Sequence, residues 1–173
     1  MLNHATFGQD KDSAPPRMDL CPPHLTKLID ETNEWVYTLL NNGVYRCGFS
    51  TKQEAYDLAS ADVRKGLDKV ESLLMHQPYL CGNVFTEADL SLLPTILRFD
   101  GAYAGLFRAG GGNLRIRDYP HLLKWLQRCW DMEGVSDTID LEDAVSSYYR
   151  QLFPLNPGGL IPTSITIEEM GLK

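Results

Sequence analysis

One segment in the second half of the chain is apolar on almost every side of a helix. Its apolar residues are Leu92, Leu93, Ile96, Leu97 and Phe99. A helix that is apolar all round is stable only when other elements surround it. The segment therefore predicts the buried central helix of a larger bundle.

A helix-start signature stands directly before this core segment. Thr86 and Asp89 have the spacing of a capping box, in which the threonine accepts a hydrogen bond from the amide of Asp89 and the carboxylate reaches back. Phe85 and Leu90 occupy the two positions of a hydrophobic staple. We interpret Thr86 and Asp89 as structural residues that fix the start of the core helix.

Two amphipathic patterns precede the core segment. The first covers residues 25–42 and is expected to form one long helix that ends near Gly43. The second covers residues 51–74, and Thr51 with Glu54 has capping-box spacing at its start. Both patterns predict amphipathic helices, and the second helix is expected to lie antiparallel to the first.

Two more helices are predicted after the core segment. Pro120 suits the first turn of one, and Asp140 with Asp143 resembles the cap of the last. No strand pattern and no internal repeat occurs in the sequence. The predicted fold class is therefore all-α, a helical bundle with short connections.

The distribution of proline and glycine divides the chain into three parts. Prolines and mixed charge predict an extended linker over residues 1–24, and its opening resembles the last turn of a helix whose beginning is absent. The helical domain covers residues 25–153. Residues 154–173 carry Pro and Gly at short intervals and predict an extended tail.

Composition excludes several classes of function. The formal net charge is −7 and the isoelectric point is near 5.0, which argues against binding to nucleic acid. Apolar runs are far shorter than the roughly 20 residues that span a bilayer, so we expect no membrane association. The four cysteines lack metal-ligand spacing, which predicts free thiols in a reducing compartment, the cytoplasm or a reducing organelle, and no bound metal.

Three other features suggest chemistry but favour simpler interpretations. Cys21 before Pro22, Pro23 and His24 could be a reactive thiol at a helix start, yet no strand precedes it, so a linker is favoured. The histidines are too scattered for a metal pair and are expected to face solvent. Gly110 to Gly112 lacks the strand and the Lys of a phosphate-binding loop, which favours a plain surface turn.

A polar aromatic group is the strongest candidate site. It consists of residues 42–46 near the end of the first helix, which include Tyr45 and Arg46, and of Tyr148, Tyr149 and Arg150 in the last helix. A phenol beside a cleft can donate a hydrogen bond to a substrate oxygen. Tyrosines at helix ends are also common packing residues, so the residues alone leave both interpretations open.

Four segments of the sequence resemble one family closely. They are residues 41–49, residues 79–90, Leu97-Arg98-Phe99-Asp100, and Ile116-Arg117-Asp118-Tyr119-Pro120. Together they are similar to the glutathionyl-hydroquinone reductases, the Xi class of glutathione transferases. Members have a thioredoxin-like domain that binds glutathione and carries a Cys-Pro-Trp-Ala nucleophile, followed by a helical domain. The chain resembles only the helical domain, and none of its cysteines matches the nucleophile.

This resemblance implies a role for the candidate residues. The family removes glutathione from glutathionyl-hydroquinones, with glutathione as co-substrate and without metal, and its helical domain supplies the hydroquinone pocket and a homodimer contact. Tyr45 and Tyr148 match two pocket tyrosines, and Arg46 and Tyr149 are their neighbours in sequence. The resemblance thus implies a cytoplasmic substrate-binding and dimerisation domain with no catalytic residue of its own. The alternative is a non-catalytic, stand-alone helical interaction domain.

Overall fold

The computed structural model describes residues 18–163 and 168–172. Within these ranges the chain forms α-helices, short 3₁₀ and π turns and one isolated bridge between Tyr79 and Gly82, but no strand. The helices are α1 Thr26–Val36, α2 Gly43–Phe49, α3 Gln53–Leu74, α4 Glu87–Arg98, α5 Pro120–Trp130 and α6 Leu141–Gln151. The all-α prediction is confirmed for this part of the chain, and the first 17 residues of the predicted linker lie outside it.

Helix α4 is the central element, as its apolar pattern predicts. Leu92, Ile96 and Phe99 are fully buried, and the helix packs against α1, α5 and α6. Each neighbouring helix buries its own apolar stripe against α4 or against the helix beside it. The hydrophobic effect therefore holds the bundle together around this one helix.

The predicted capping box forms at the start of α4, and its carboxylate does more than cap the helix. Asp89 is fully buried. Its Oδ2 accepts from the amide and the hydroxyl of Thr86, both at 3.0 Å. Its Oδ1 accepts from the amide of Leu80 and the indole of Trp125, both at 2.9 Å. One side chain thus joins the start of α4 to the preceding loop and to α5.

The first predicted helix differs from the expected single rod. Helix α1 ends at Val36, a π turn covers Tyr37–Asn41, and α2 follows from Gly43. Asn41 fixes this turn to α4, because its amide donates to the carbonyl of Ser91 at 3.1 Å and its oxygen accepts from Thr95 at 2.9 Å. The segment after Asn42 is therefore a separate short helix with its own direction.

Of the three remaining predicted helix starts, those of α5 and α6 are confirmed and that of α3 is not. Helix α5 begins at Pro120, and α6 is capped by Asp140, whose carboxylate accepts from the amide of Asp143 at 2.8 Å. The capping box expected at the start of α3 does not form, because Lys52 is the N-cap residue and no side chain caps the helix. Residue spacing alone does not decide which rotamers the side chains adopt.

A carboxylate from α3 caps α5 from outside. Glu71 accepts hydrogen bonds from the amides of His121 and Leu122 and from the His121 ring, whose Nδ1 lies 2.7 Å away. His121, which was expected to face solvent, is half-buried, and its ring is bound to Glu71. Burial raises the pKa of Glu71, but the bonds from Leu122 and His121 outweigh it and leave that pKa below its usual value.

The end of the chain also returns to the bundle. Met170 and Leu172 are buried against the hydrophobic core, and Gln127 donates to the carbonyl of Gly171 at 3.0 Å. Residues 168–172, within the segment predicted as a tail, thus cover one side of α5.

We expect Asp89→Asn to destabilise the fold by about 2–3 kcal/mol. An asparagine offers one oxygen where the carboxylate offers two, so it leaves buried donors without acceptors, each at about 1–3 kcal/mol. Urea unfolding followed by circular dichroism measures the change. Asp140→Asn is the matched control, because asparagine caps an exposed helix start as well as aspartate does. Equal stability of the two variants would contradict this role for Asp89.

We expect Glu71→Gln to flatten the acid side of the stability profile. A carboxyl group whose pKa is lowered by folding stabilises the fold above its unfolded value of about 4.3, and this contribution disappears as the pH falls through the folded pKa. The variant should lose about 1–2 kcal/mol at pH 7 and much less at pH 3. Urea titrations at both pH values test this, with the exposed Glu54→Gln as control. A loss that does not change with pH would contradict it.

Candidate functional site

Three tyrosine hydroxyls meet on one side of the bundle. The oxygens of Tyr45 and Tyr148 lie 2.6 Å apart, those of Tyr103 and Tyr148 lie 2.8 Å apart, and those of Tyr45 and Tyr103 lie 3.4 Å apart. Tyr45 comes from α2, Tyr103 from a π turn over Phe99–Tyr103, and Tyr148 from α6. We call these residues the tyrosine cluster. The structure brings the two predicted tyrosines together and adds a third.

One phenylalanine ring contacts all three rings of the tyrosine cluster. Phe107 is fully buried, and its ring centroid lies 5.4 Å from those of Tyr45 and Tyr103 and 5.8 Å from that of Tyr148. These distances are typical of attractive aromatic contacts. A Cβ on Gly48 would lie 2.6 Å from the Phe107 ring, so only glycine allows α2 to approach this closely. Packing therefore fixes where the three hydroxyls point.

The number of hydrogens in the cluster leaves one donor for a ligand. Three phenols carry three hydroxyl hydrogens, while the cluster contains only two short oxygen contacts. The third contact, at 3.4 Å, is too long to be a strong hydroxyl hydrogen bond. One hydroxyl hydrogen can therefore bind an oxygen atom placed against the cluster.

The surroundings of Tyr103 and Tyr148 favour the protonated form of each phenol. Burial raises the pKa of Tyr103 well above its usual value, and the bonds to Tyr148 and Tyr45 raise it further. Burial is also the main cause of the raised pKa of Tyr148, although the charge of Arg98 opposes it. At neutral pH both groups are hydrogen-bond donors and not phenolates.

The cluster forms one wall of an open cavity of about 650 Å³. This volume is typical of small-molecule sites. The opposite walls carry further polar side chains, among them Asn41, Thr95, Arg98, Asp143 and Ser147. The cavity can thus hold a small molecule that presents oxygen atoms to the tyrosines.

The other two predicted site residues lie elsewhere. Arg46 pairs with Asp62 on α3 at 2.6 Å, and neither residue lines the cavity. Tyr149 is buried, with its hydroxyl against Gly105, beside a different cavity. Thr86 and Asp89 sit at the start of α4, in the structural role expected of them.

Three of the described cysteines are poor nucleophiles. Cys47, Cys81 and Cys129 are buried, and burial is the main cause of the raised pKa of each thiol. Cys21 is half-buried, and its sulfur lies 3.8 Å from the hydroxyl of Thr26. The three buried thiols are therefore poorly suited to attack a substrate.

Metal-binding clusters and membrane-spanning helices are both absent from the described ranges. No three His, Cys, Asp or Glu side chains come together in a way that could hold a metal ion. No helix combines the length and the apolar character needed to cross a bilayer.

Comparison with known proteins shows that the chain is similar to one group of glutathione-dependent proteins. The glutathione S-transferase C-terminal domain family matches residues 53–128. Glutathionyl-hydroquinone reductase YqjG of Escherichia coli K12 is 41% identical over 143 residues, which are 83% of this chain and 43% of that protein. The chain spans about half the length, or less, of the curated relatives it matches.

Solved structures give the same result. The glutathione-bound structure of YqjG superposes with a TM-score of 0.83 at 40% identity, over 86% of this chain and 48% of that one. The glutathione S-transferase Xi of Phanerochaete chrysosporium superposes with a TM-score of 0.81 at 38% identity, over 86% and 50%. The chain is therefore a homologue of the C-terminal helical part of the glutathionyl-hydroquinone reductases, the Xi class of glutathione transferases.

Proposed function

We propose that this chain binds the hydroquinone part of a glutathionyl-hydroquinone, as the substrate domain of an enzyme that removes the glutathione. The observation that supports the proposal is the tyrosine cluster, whose long 3.4 Å contact can give up its hydroxyl hydrogen to a ligand in a cavity of about 650 Å³. A hydroquinone presents two ring oxygens that can accept such a bond. The names of the relatives point to the same substrate class.

The chemistry of the reaction gives the cluster a catalytic advantage. The ring first passes through a keto tautomer, in which the carbon bonded to sulfur gains a proton and the neighbouring hydroxyl loses one. A cysteine thiolate then attacks the glutathione sulfur, the carbon–sulfur bond breaks, and its electron pair forms an enolate whose negative charge lies on that ring oxygen. The oxygen takes a proton and hydroquinone leaves, and a second glutathione releases the first from the mixed disulfide. A donor beside a ring oxygen becomes a stronger partner as negative charge accumulates there, and is worth about 3 kcal/mol, or roughly a hundredfold in rate.

The attacking thiol and the glutathione site belong, in this proposal, to a thioredoxin-like domain outside this sequence. Three described cysteines are buried with raised pKa values, so they fit the attacking role poorly. A structure of the relative YqjG contains bound glutathione, which supports glutathione as co-substrate. The homodimer and the cytoplasmic location remain predictions.

We expect Tyr148→Phe to weaken the binding of hydroquinone to this chain about fivefold to tenfold. The variant keeps the ring and loses the central hydroxyl of the cluster, and one such bond contributes about 1–1.5 kcal/mol. Isothermal titration calorimetry measures the affinity, and Tyr37→Phe is the matched control because Tyr37 is exposed.

Urea unfolding of the same variants separates binding from packing. If Tyr148→Phe binds hydroquinone as tightly as the unaltered chain and is less stable, the tyrosines serve packing. If the unaltered chain binds no hydroquinone, the stand-alone interaction domain is the better interpretation.

We expect the chain alone to reduce a glutathionyl-hydroquinone no faster than free glutathione does. Without a positioned thiolate, the covalent step and its proximity effect are absent. Chromatographic detection of the released hydroquinone, with and without the chain, tests this. Rapid turnover that Cys21→Ser abolishes would show that Cys21 is a nucleophile after all.

A further inference from the structure

One arginine brings positive charge to the cavity beside the tyrosine cluster. We call this cavity of about 650 Å³ the tyrosine cavity. Among the described residues that line it, Arg98 is the one with a positively charged side chain. Arg98 is the last residue of α4 and is half-buried. A cation therefore shares this cavity with the three phenols.

The guanidinium of Arg98 is held in place but is not neutralised by an ion pair. It donates to the carbonyl of Pro94, one turn earlier in α4, at 3.1 Å. No carboxylate of the described residues forms an ion pair with it. A guanidinium carries several N–H donors, so most of them remain for a ligand or for water. The positive charge of Arg98 is thus available to a group inside the cavity.

The acidic groups of the tyrosine cavity are more exposed to solvent than Arg98. Asp140 and Asp143 at the start of α6 are both exposed, and Asp140 already accepts from the amide of Asp143 at 2.8 Å. Water and salt screen exposed charges more effectively than a half-buried charge. The titratable groups that line the cavity together with Arg98 are Tyr45, Tyr103, Tyr148, Asp140 and Asp143.

The charge of Arg98 reaches the hydroxyl groups of the cluster. Burial is the main cause that raises the pKa of Tyr148, and the positive charge of Arg98 acts in the opposite direction. A cation that favours the anionic form of one oxygen at this position also favours negative charge on a ligand oxygen bound there.

We propose that Arg98 makes the tyrosine cavity bind the anionic form of a ring oxygen in preference to the neutral form. This inference rests on the proposed function, in which negative charge develops on a ring oxygen as the carbon–sulfur bond breaks. Hydrogen bonds from the cluster and the charge of Arg98 both favour that anion. The role is electrostatic and requires no contact between the guanidinium and the oxygen.

The ionisation of 4-nitrophenol bound to this chain tests the proposal. The anion of this phenol absorbs visible light and the neutral form does not, so absorbance titrations against pH give the pKa of the bound ligand. We expect binding to lower that pKa by about one pH unit, which corresponds to about tenfold tighter binding of the anion than of the neutral phenol. Arg98→Gln should abolish most of this change, whereas Arg98→Lys keeps the charge and should retain most of it.

Arg117→Gln is the matched control. It removes the same charge, but Arg117 is exposed on the 3₁₀ turn over Ile116–Asp118 and does not line the tyrosine cavity, so the pKa of the bound ligand should stay the same. Circular dichroism checks the helix content of every variant. The pKa of the bound ligand reports its electrostatic surroundings, which a loss of stability alone does not alter.

The outcomes separate this inference from the proposed function. A pKa of bound 4-nitrophenol that Arg98→Gln leaves unchanged, or that Arg98→Lys raises as much as Arg98→Gln does, overturns the role of Arg98 and leaves hydroquinone binding intact. Binding of hydroquinone without binding of 4-nitrophenol at any pH also overturns this inference alone. If neither compound binds, the proposed function fails together with it.

Discussion

A buried carboxylate sets the position of the central helix. Asp89 accepts four hydrogen bonds from Thr86, Leu80 and Trp125, which belong to the start of α4, the loop before it and α5. A charge without exposure to water is tolerated only when such donors replace its hydration. The direction of α4 and the place of its first turn are thereby fixed, and every site residue on or after α4 depends on them.

Two π turns position Tyr45 and Tyr103 of the candidate site relative to α4. The turn over Tyr37–Asn41 precedes α2 and is tied to α4 through Asn41, while the turn over Phe99–Tyr103 continues α4 directly. A π turn inserts a residue into the helical repeat, so it changes which face the following side chains occupy. Tyr45 and Tyr103 follow or end these turns, and both reach Tyr148 on α6. The hydroxyls meet because the helices depart from regular geometry.

The dependence of the tyrosine cluster on π turns and distant contacts explains how much of the fold and the site the sequence could predict. The core helix, the Thr86 and Asp89 box and the Asp140 cap depend on residues close in sequence, and all three are confirmed. Tyr103 carries no local signal, because its place in the cluster depends on a π turn that periodicity does not reveal. Tyr45 and Tyr148 are candidates from their residue type, but only the resemblance places them in one pocket, since residues 103 positions apart show no spacing rule. The pairing of Glu71 with His121 was missed for the same reason.

Helix α4 connects the polar wall of the cavity with the tyrosine cluster. Thr95 and Arg98 on this helix line the cavity, and the π turn that continues the helix carries Tyr103. The three tyrosine rings pack against Phe107, so packing sets the direction of their hydroxyls. A shift of α4 would therefore displace the polar wall and the hydroxyl cluster together.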